Sequence, residues 1–122
     1  MAKILIIEDN VTLSAILNIG LKKQGYSVEV AYDGIEGLKK AEDFKPDLII
    51  LDINLPKLSG FDVARIIKER DELKNTIIIM LTALSQDVNI QRGYSIGIDD
   101  YLIKPFGIEH LYLKLRKCLS ES

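Results

Sequence analysis

Short apolar, strand-like runs alternate along the chain with stretches in which apolar residues recur every three or four positions. The runs fall at 4–7, 28–31, 48–51, 77–81 and 101–103. Such alternation predicts βαβ units and a parallel sheet. After the first run, Asn10 is placed to cap a helix that carries Leu13, Ile16, Leu17 and Leu21 on one face, and Gly25 ends it. Asp33-Gly34 opens a second helix through Ile35, Leu38 and Ala41, closed before Pro46. A third covers 61–70 with Phe61, Ala64 and Ile67 inward. A fourth, over 86–96, is interrupted by Gly93 at a cost of about 1 kcal/mol relative to alanine, and marginal elements are the ones that move. In the fifth, Ile108, Leu111, Tyr112, Leu115 and Leu119 keep helical spacing. No repeat, low-complexity segment or linker interrupts the pattern, so residues 1–122 read as one domain.

The polar residues that end these runs matter as much as the runs. Leu48 to Leu51 is apolar throughout, as a strand covered on both faces must be, and it stops at Asp52. Glu8 and Asp9 end the first run. Right-handed crossovers place helices on both faces of the sheet. The predicted fold is therefore α/β, a flavodoxin-like doubly wound five-stranded parallel sheet of order 2-1-3-4-5 with five helices, and its ligand crevice lies between the carboxyl ends of strands one and three. Three carboxylates converge there. At about 5 Å and an effective dielectric near 20, each like-charged pair costs roughly 3 kcal/mol. A cation relieves this, and hard carboxylate oxygens at a partly open site suit Mg²⁺.

The fourth strand ends at Thr82-Ala83 and the fifth is followed by Lys104-Pro105, on the same edge as the acids. A hydroxyl and an ammonium facing a carboxylate and a divalent ion are what an incoming phosphoryl group needs, with Asp52 as nucleophile and an acyl phosphate as product. Pro56 and Gly60 shape the loop after Asp52. Taken singly, each residue has a plainer role: Asp52 as a cap, Thr82 as a β-former, Lys104 as a solvated loop residue, Asn10 as a helix cap. Four strand ends coinciding are not explained that way.

Composition narrows the classes. Lys and Arg total 16 against 18 Asp and Glu, giving a net charge of −2 with both signs interspersed, which offers no electrostatic case for nucleic-acid binding. The single cysteine, Cys118, excludes an internal disulfide and a cysteine-based zinc site. The four-residue apolar run after Met1-Ala2-Lys3 is too short for a signal-peptide core, and no run approaches a membrane span. The expectation is a cytoplasmic protein.

In order and spacing, Ile6-Ile7-Glu8-Asp9-Asn10, Gly25-Tyr26, Asp33-Gly34, Pro46-Asp47-Leu48-Ile49-Ile50-Leu51-Asp52 with Leu55-Pro56 and Ser59-Gly60, Leu81-Thr82-Ala83, and Gly97-Ile98-Asp99-Asp100-Tyr101-Leu102-Ile103-Lys104-Pro105-Phe106 resemble the receiver domain of two-component response regulators, over the whole chain. The resemblance implies that Asp52 is the phosphoacceptor, charged by a partner sensor histidine kinase. It further implies that Glu8, Asp9, Asp52 and the backbone carbonyl of Asn54 surround Mg²⁺, that Thr82 and Lys104 bind the phosphoryl group, and that Tyr101 is the switch aromatic. Asn54 and Leu84 stand where such domains tune the access of hydrolytic water. The implied function is a phosphorylation-activated switch, not an enzyme beyond its own aspartyl phosphorylation and dephosphorylation. Thr82 moves toward the phosphate, Tyr101 turns inward, and the surface of the fourth helix, fifth strand and fifth helix changes to control an output domain or target protein.

The end of the chain looks like the winged-helix transcription-factor branch, yet His110 and Lys114 stand where that branch usually carries Glu and Arg for its paired form. A monomer or a weak phosphorylation-dependent dimer is expected, with His110 a solvated residue and Cys118 a half-buried thiol. Two alternatives were weighed. A small phosphohydrolase with an aspartyl nucleophile fails because Asn54 replaces the second acid and no cap domain fits. A flavin module fails because Glu8-Asp9 would repel the flavin phosphate.

Overall fold

A strand that is apolar on every residue must be covered on both sides, and Leu48-Ile49-Ile50-Leu51 finds that cover at the centre of the molecule. The structure, a computed structural model, describes residues 1–83 and 94–120. In chain order these form β1 (Lys3–Ile7), α1 (Val11–Lys23), β2 (Ser27–Ala31), α2 (Gly34–Phe44), β3 (Leu48–Asp52), α3 (Gly60–Glu69), β4 (Ile77–Ala83), β5 (Asp100–Lys104) and a C-terminal helix (Ile108–Ser120). The five strands make one parallel sheet in the order β2-β1-β3-β4-β5, the doubly wound arrangement the sequence predicts. The expected fourth helix falls mostly on 84–93, outside the described residues, as does Leu84; residues 94–96 are helical.

Side chains alternate across a strand, so the sheet divides its apolar residues between two cores. Leu5, Ile7, Ile49, Leu51, Ile78, Met80 and Tyr101 pack on one side with Ala41 of α2 and Phe61, Val63, Ala64 and Ile67 of α3. Ile4, Ile6, Leu48, Ile50, Ile79, Leu81 and Leu102 pack on the other with Leu17 and Leu21 of α1 and Leu111 and Leu115 of the C-terminal helix. Local chemistry starts α1 and α2 where expected, and Ser59, not singled out by the sequence pattern, starts α3. Asn10 Oδ1 accepts from the Leu13 N–H at 2.9 Å, Asp33 Oδ1 from the Glu36 N–H at 2.8 Å, and Ser59 Oγ from the Asp62 N–H at 3.2 Å.

Two apolar residues sit elsewhere than their spacing implies. Ile16 and Ile35, expected on inward faces, are each 54% exposed. In α1 the buried positions are Ser14, Leu17 and Leu21, with the small Ser14 fully covered against the sheet, so the inward stripe passes to one side of Ile16. A hydroxyl that bonds the Val11 carbonyl at 3.1 Å is cheap to bury there, and the helix turns accordingly. Leu17→Ala should therefore lower stability by about 2–5 kcal/mol, while Ile16→Ala should change it by less than about 0.5 kcal/mol, as measured by chemical denaturation.

Candidate functional site

The apolar face shared by α1 and the C-terminal helix runs out in charge at the carboxyl edge of the sheet. Ile6 pairs in register with Ile50, and Leu102 with Leu81, all on that face. Two residues further along β1, β3 and β5 come Glu8, Asp52 and Lys104, which strand alternation keeps on the same side. Lys104 Nζ lies 2.9 Å from Glu8 Oε1 and 3.4 Å from Asp52 Oδ1. Glu8 is 1% exposed and Asp52 6%. The other oxygen of Glu8 accepts the Asn10 N–H at 3.0 Å, so this carboxylate is held at both ends. Asp9 projects into solvent beside them, and one carboxylate oxygen from each of Glu8, Asp9 and Asp52 lies within 4.8 Å of the others.

Burial, and after it the charge of Glu8, pushes the Asp52 carboxyl from its ordinary 3.8 up to about 6, with Lys104 opposing. Burial by itself would lower the Lys104 ammonium. The hydrogen bond to Glu8 and the charges of Asp52 and Glu8 together outweigh it, and the group rises above the usual lysine range. Lys104 therefore stays charged at neutral pH. One ammonium among three acidic side chains leaves the cluster with an excess of acidic groups, and its donors are hard oxygens on the rim of a cleft. That donor set fits a divalent cation of the Mg²⁺ type.

The loop from β3 to α3 is held in one course. Gly60 donates its N–H to the Ile53 carbonyl at 2.7 Å, and a side chain at Gly60 would press into the Asp52 carbonyl and approach Ile53 Cα at 2.8 Å, so only glycine fits. Asn54 is exposed in the bend just past Asp52. Lys57 takes φ +73°, and the Leu58 N–H reaches back to the Pro56 carbonyl at 2.8 Å, closing a γ-turn. Nothing in the local sequence marks a left-handed lysine there, since glycine or asparagine is the usual occupant.

The other expected residues take their predicted positions on the same edge. Thr82 is fully buried near the end of β4, one residue beyond the Leu81 that pairs with Asp52. Tyr101, in register with Met80, belongs to the opposite core, and its ring meets Tyr94 edge-on at 5.2 Å. It is only 7% exposed, so the inward position expected to follow phosphorylation is the one it already occupies. The Lys104–Pro105 peptide is cis. His110 is exposed and Cys118 half-buried, as expected, and Lys114 binds Asp100 of its own chain at 2.9 Å.

A carboxyl whose folded pKa lies above its unfolded value costs stability once it ionises: the cost is absent below the unfolded value of 3.8 and complete above the folded value of about 6. In chelator-treated, metal-free buffer, Asp52→Asn should thus be more stable than wild type by about 3 kcal/mol above pH 6.5. The difference should shrink to nothing toward pH 4. Thermal melts of both proteins across that range provide the measurement.

Comparison with known proteins gives the same result from another direction. The model of the response regulator receiver domain matches residues 4–116. The DNA-binding dual master transcriptional regulator RpaA of Synechocystis is 40% identical over 119 residues, which are 98% of this chain and 49% of that protein. The response regulator ArlR of Staphylococcus aureus is also 40% identical over 119 residues, 98% of this chain and 53% of its own length. The chain thus spans about half the length of these curated relatives. Among solved structures, the chemotaxis response regulator CheY4 of Vibrio cholerae superposes with a TM-score of 0.90 at 35% identity, covering 96% of this chain and 98% of that one. The receiver domain of the sensor histidine kinase PA1611 from Pseudomonas aeruginosa, which has a magnesium ion coordinated in its active site cleft, gives 0.86 at 32% identity over 95% of each chain. With sheet order, acidic cleft and family model in agreement over nearly every residue, this chain belongs to the response regulator receiver domains of two-component signalling.

Proposed function

We propose that residues 1–122 act as one receiver domain in the cytoplasm, in which Asp52 accepts a phosphoryl group from the phosphohistidine of a sensor kinase. The observation that carries this reading is the cluster itself: three carboxylates within 4.8 Å of one another, two of them bonded to a single buried-edge lysine. Glu8, Asp9, Asp52 and the Asn54 carbonyl would hold Mg²⁺, which when bound screens the negative charge of the phosphoryl oxygens. An ionised Asp52 oxygen attacks phosphorus, the P–O bond forms as the P–N bond to the imidazole breaks, and the electron pair leaves with the imidazole nitrogen. Lys104 is placed to follow the negative charge, exchanging its contact with Asp52 for one with a phosphoryl oxygen while Glu8 keeps hold of it.

Thr82 would supply a hydroxyl to the phosphoryl group from one residue past the pairing partner of Asp52. Tyr101 lies on the same face of the sheet as Thr82, so a shift of the hydroxyl is felt by the aromatic ring and by the surface that β5 and the C-terminal helix share. That surface would control an output domain or a separate target protein, as a monomer or a weak phosphorylation-dependent dimer. Receiver domains are signalling domains and not classical enzymes; the aspartyl chemistry here serves only the domain's own charging and discharging. The phosphohydrolase alternative lacks its second acid, since position 54 is Asn.

Incubation with acetyl phosphate and Mg²⁺ should add one phosphoryl group to the wild-type protein by intact-mass analysis. EDTA or Asp52→Asn should abolish the addition. Lys104→Met should slow it by on the order of a hundredfold, the usual effect of removing a preorganised donor to developing negative charge. A phosphoryl group that persists on Asp52→Asn would overturn the reading.

A further inference from the structure

The acidic cluster is built on β1 and β3, which pair directly, and the loops that leave these two strands are joined by a third, the turn after β2. The Ala31 carbonyl, at the end of β2, accepts the Glu8 N–H at 3.0 Å. Three residues later, the Gly34 N–H reaches the Pro56 carbonyl at 3.3 Å, and Gly34 sits so close to Leu58 that an added Cβ would lie 2.8 Å from the Leu58 carbonyl oxygen. Between these two points stands Asp33, whose carboxylate is divided. Its Oδ1 caps α2, and its Oδ2 lies 3.5 Å from Lys57 Nζ. Glu36 completes the turn by accepting the Tyr32 N–H at 2.7 Å.

We infer that the turn at 32–34 is a strut that fixes where the Asn54 carbonyl stands relative to the carboxylates of Glu8, Asp9 and Asp52, and that Asp33 and Lys57 are positioning residues for divalent-ion binding. The inference rests on the function proposed above and adds to it residues that touch neither ion nor phosphoryl group. Lys57 is the telling position. It holds a left-handed backbone, φ +73°, that side chains rarely adopt, in the γ-turn that follows Asn54. A glycine would relax the turn but lose the ammonium that fastens it to Asp33. Asp52 is held within β3, but the Asn54 carbonyl hangs from the loop beyond it, so the place where Lys57 is anchored decides how far that carbonyl stands from the carboxylates.

The test is Mg²⁺ binding by isothermal titration, with stability followed in parallel. Asp33→Asn keeps the cap, because asparagine caps as well as aspartate, and removes the charge toward Lys57. It should weaken Mg²⁺ by about two- to fivefold, the range of an exposed ion pair, and no weakening would overturn the proposal. Lys57→Met separates the strut from simple electrostatics. Removing a cation near the site would by charge alone tighten a divalent ion, whereas loosening the loop weakens it. The strut requires weakening of similar size, and tighter or unchanged binding overturns it.

Lys57→Gly should also bind Mg²⁺ more weakly while melting no lower than wild type, which a merely structural role would not produce. In the Asp33→Asn/Lys57→Met double variant the two losses should not add; full additivity would show that the residues do not act as a pair. A wild-type protein that fails to bind Mg²⁺ overturns the metal reading and the strut with it. Wild-type binding with indifferent variants overturns the strut alone.

Discussion

The site exists because the sheet forces like charges together and then offsets only part of the repulsion. Glu8 and Asp52 are nearly inaccessible and face the same ammonium, so neither can escape to solvent and neither is fully neutralised. In water such carboxylates would separate. Here the parallel register that pairs Ile6 with Ile50 leaves them no choice, since each is the polar continuation of a strand whose earlier residues are locked in the core. The energy stored in that arrangement is electrostatic, and a proton or a divalent cation would relieve it. The pH response of the cluster and the proposed cation binding would in this sense have one physical origin.

Much of this was legible in the sequence, for definite physical reasons. The apolar run 48–51 is too uniform for an amphipathic element, so it had to be a covered central strand, and Asp52 had to lie at its carboxyl end. Glu8, Asp9, Thr82 and Lys104 followed by the same reading of strand ends. The family motifs then added Asn54 and Tyr101, which periodicity does not single out. What escaped was the helix azimuth and the loop geometry. Ile16 looks like a core residue by spacing alone, because a one-dimensional pattern does not register that a serine will be chosen for the tightest place against the sheet. Lys57 carries no local sign of a positive φ, and it takes one in a γ-turn whose lysine lies 3.5 Å from Asp33, a residue of another loop.

Glycines separate the two kinds of information. Gly60 is demanded by the backbone it touches, and its neighbour Ser59, a recognisable cap, marks the position in the sequence. Gly34 is demanded by a different loop altogether, through its contact with Leu58, and only the folded arrangement reveals why it cannot be larger. The packing of these two loops against each other thus constrains the reactive edge more tightly than any single motif implies.

The partition of the sheet into two cores has a further consequence. Glu8, Asp52 and Lys104 continue the side covered by α1 and the C-terminal helix, whereas Tyr101 and the residues beside it belong to the side covered by α2 and α3. Asp52 and Tyr101 thus lie on opposite sides of the sheet, and the backbone of β4, paired with both their strands, runs between them. A change of charge at the carboxylate that is to reach the ring, as proposed above, would have to cross that backbone as through a diaphragm.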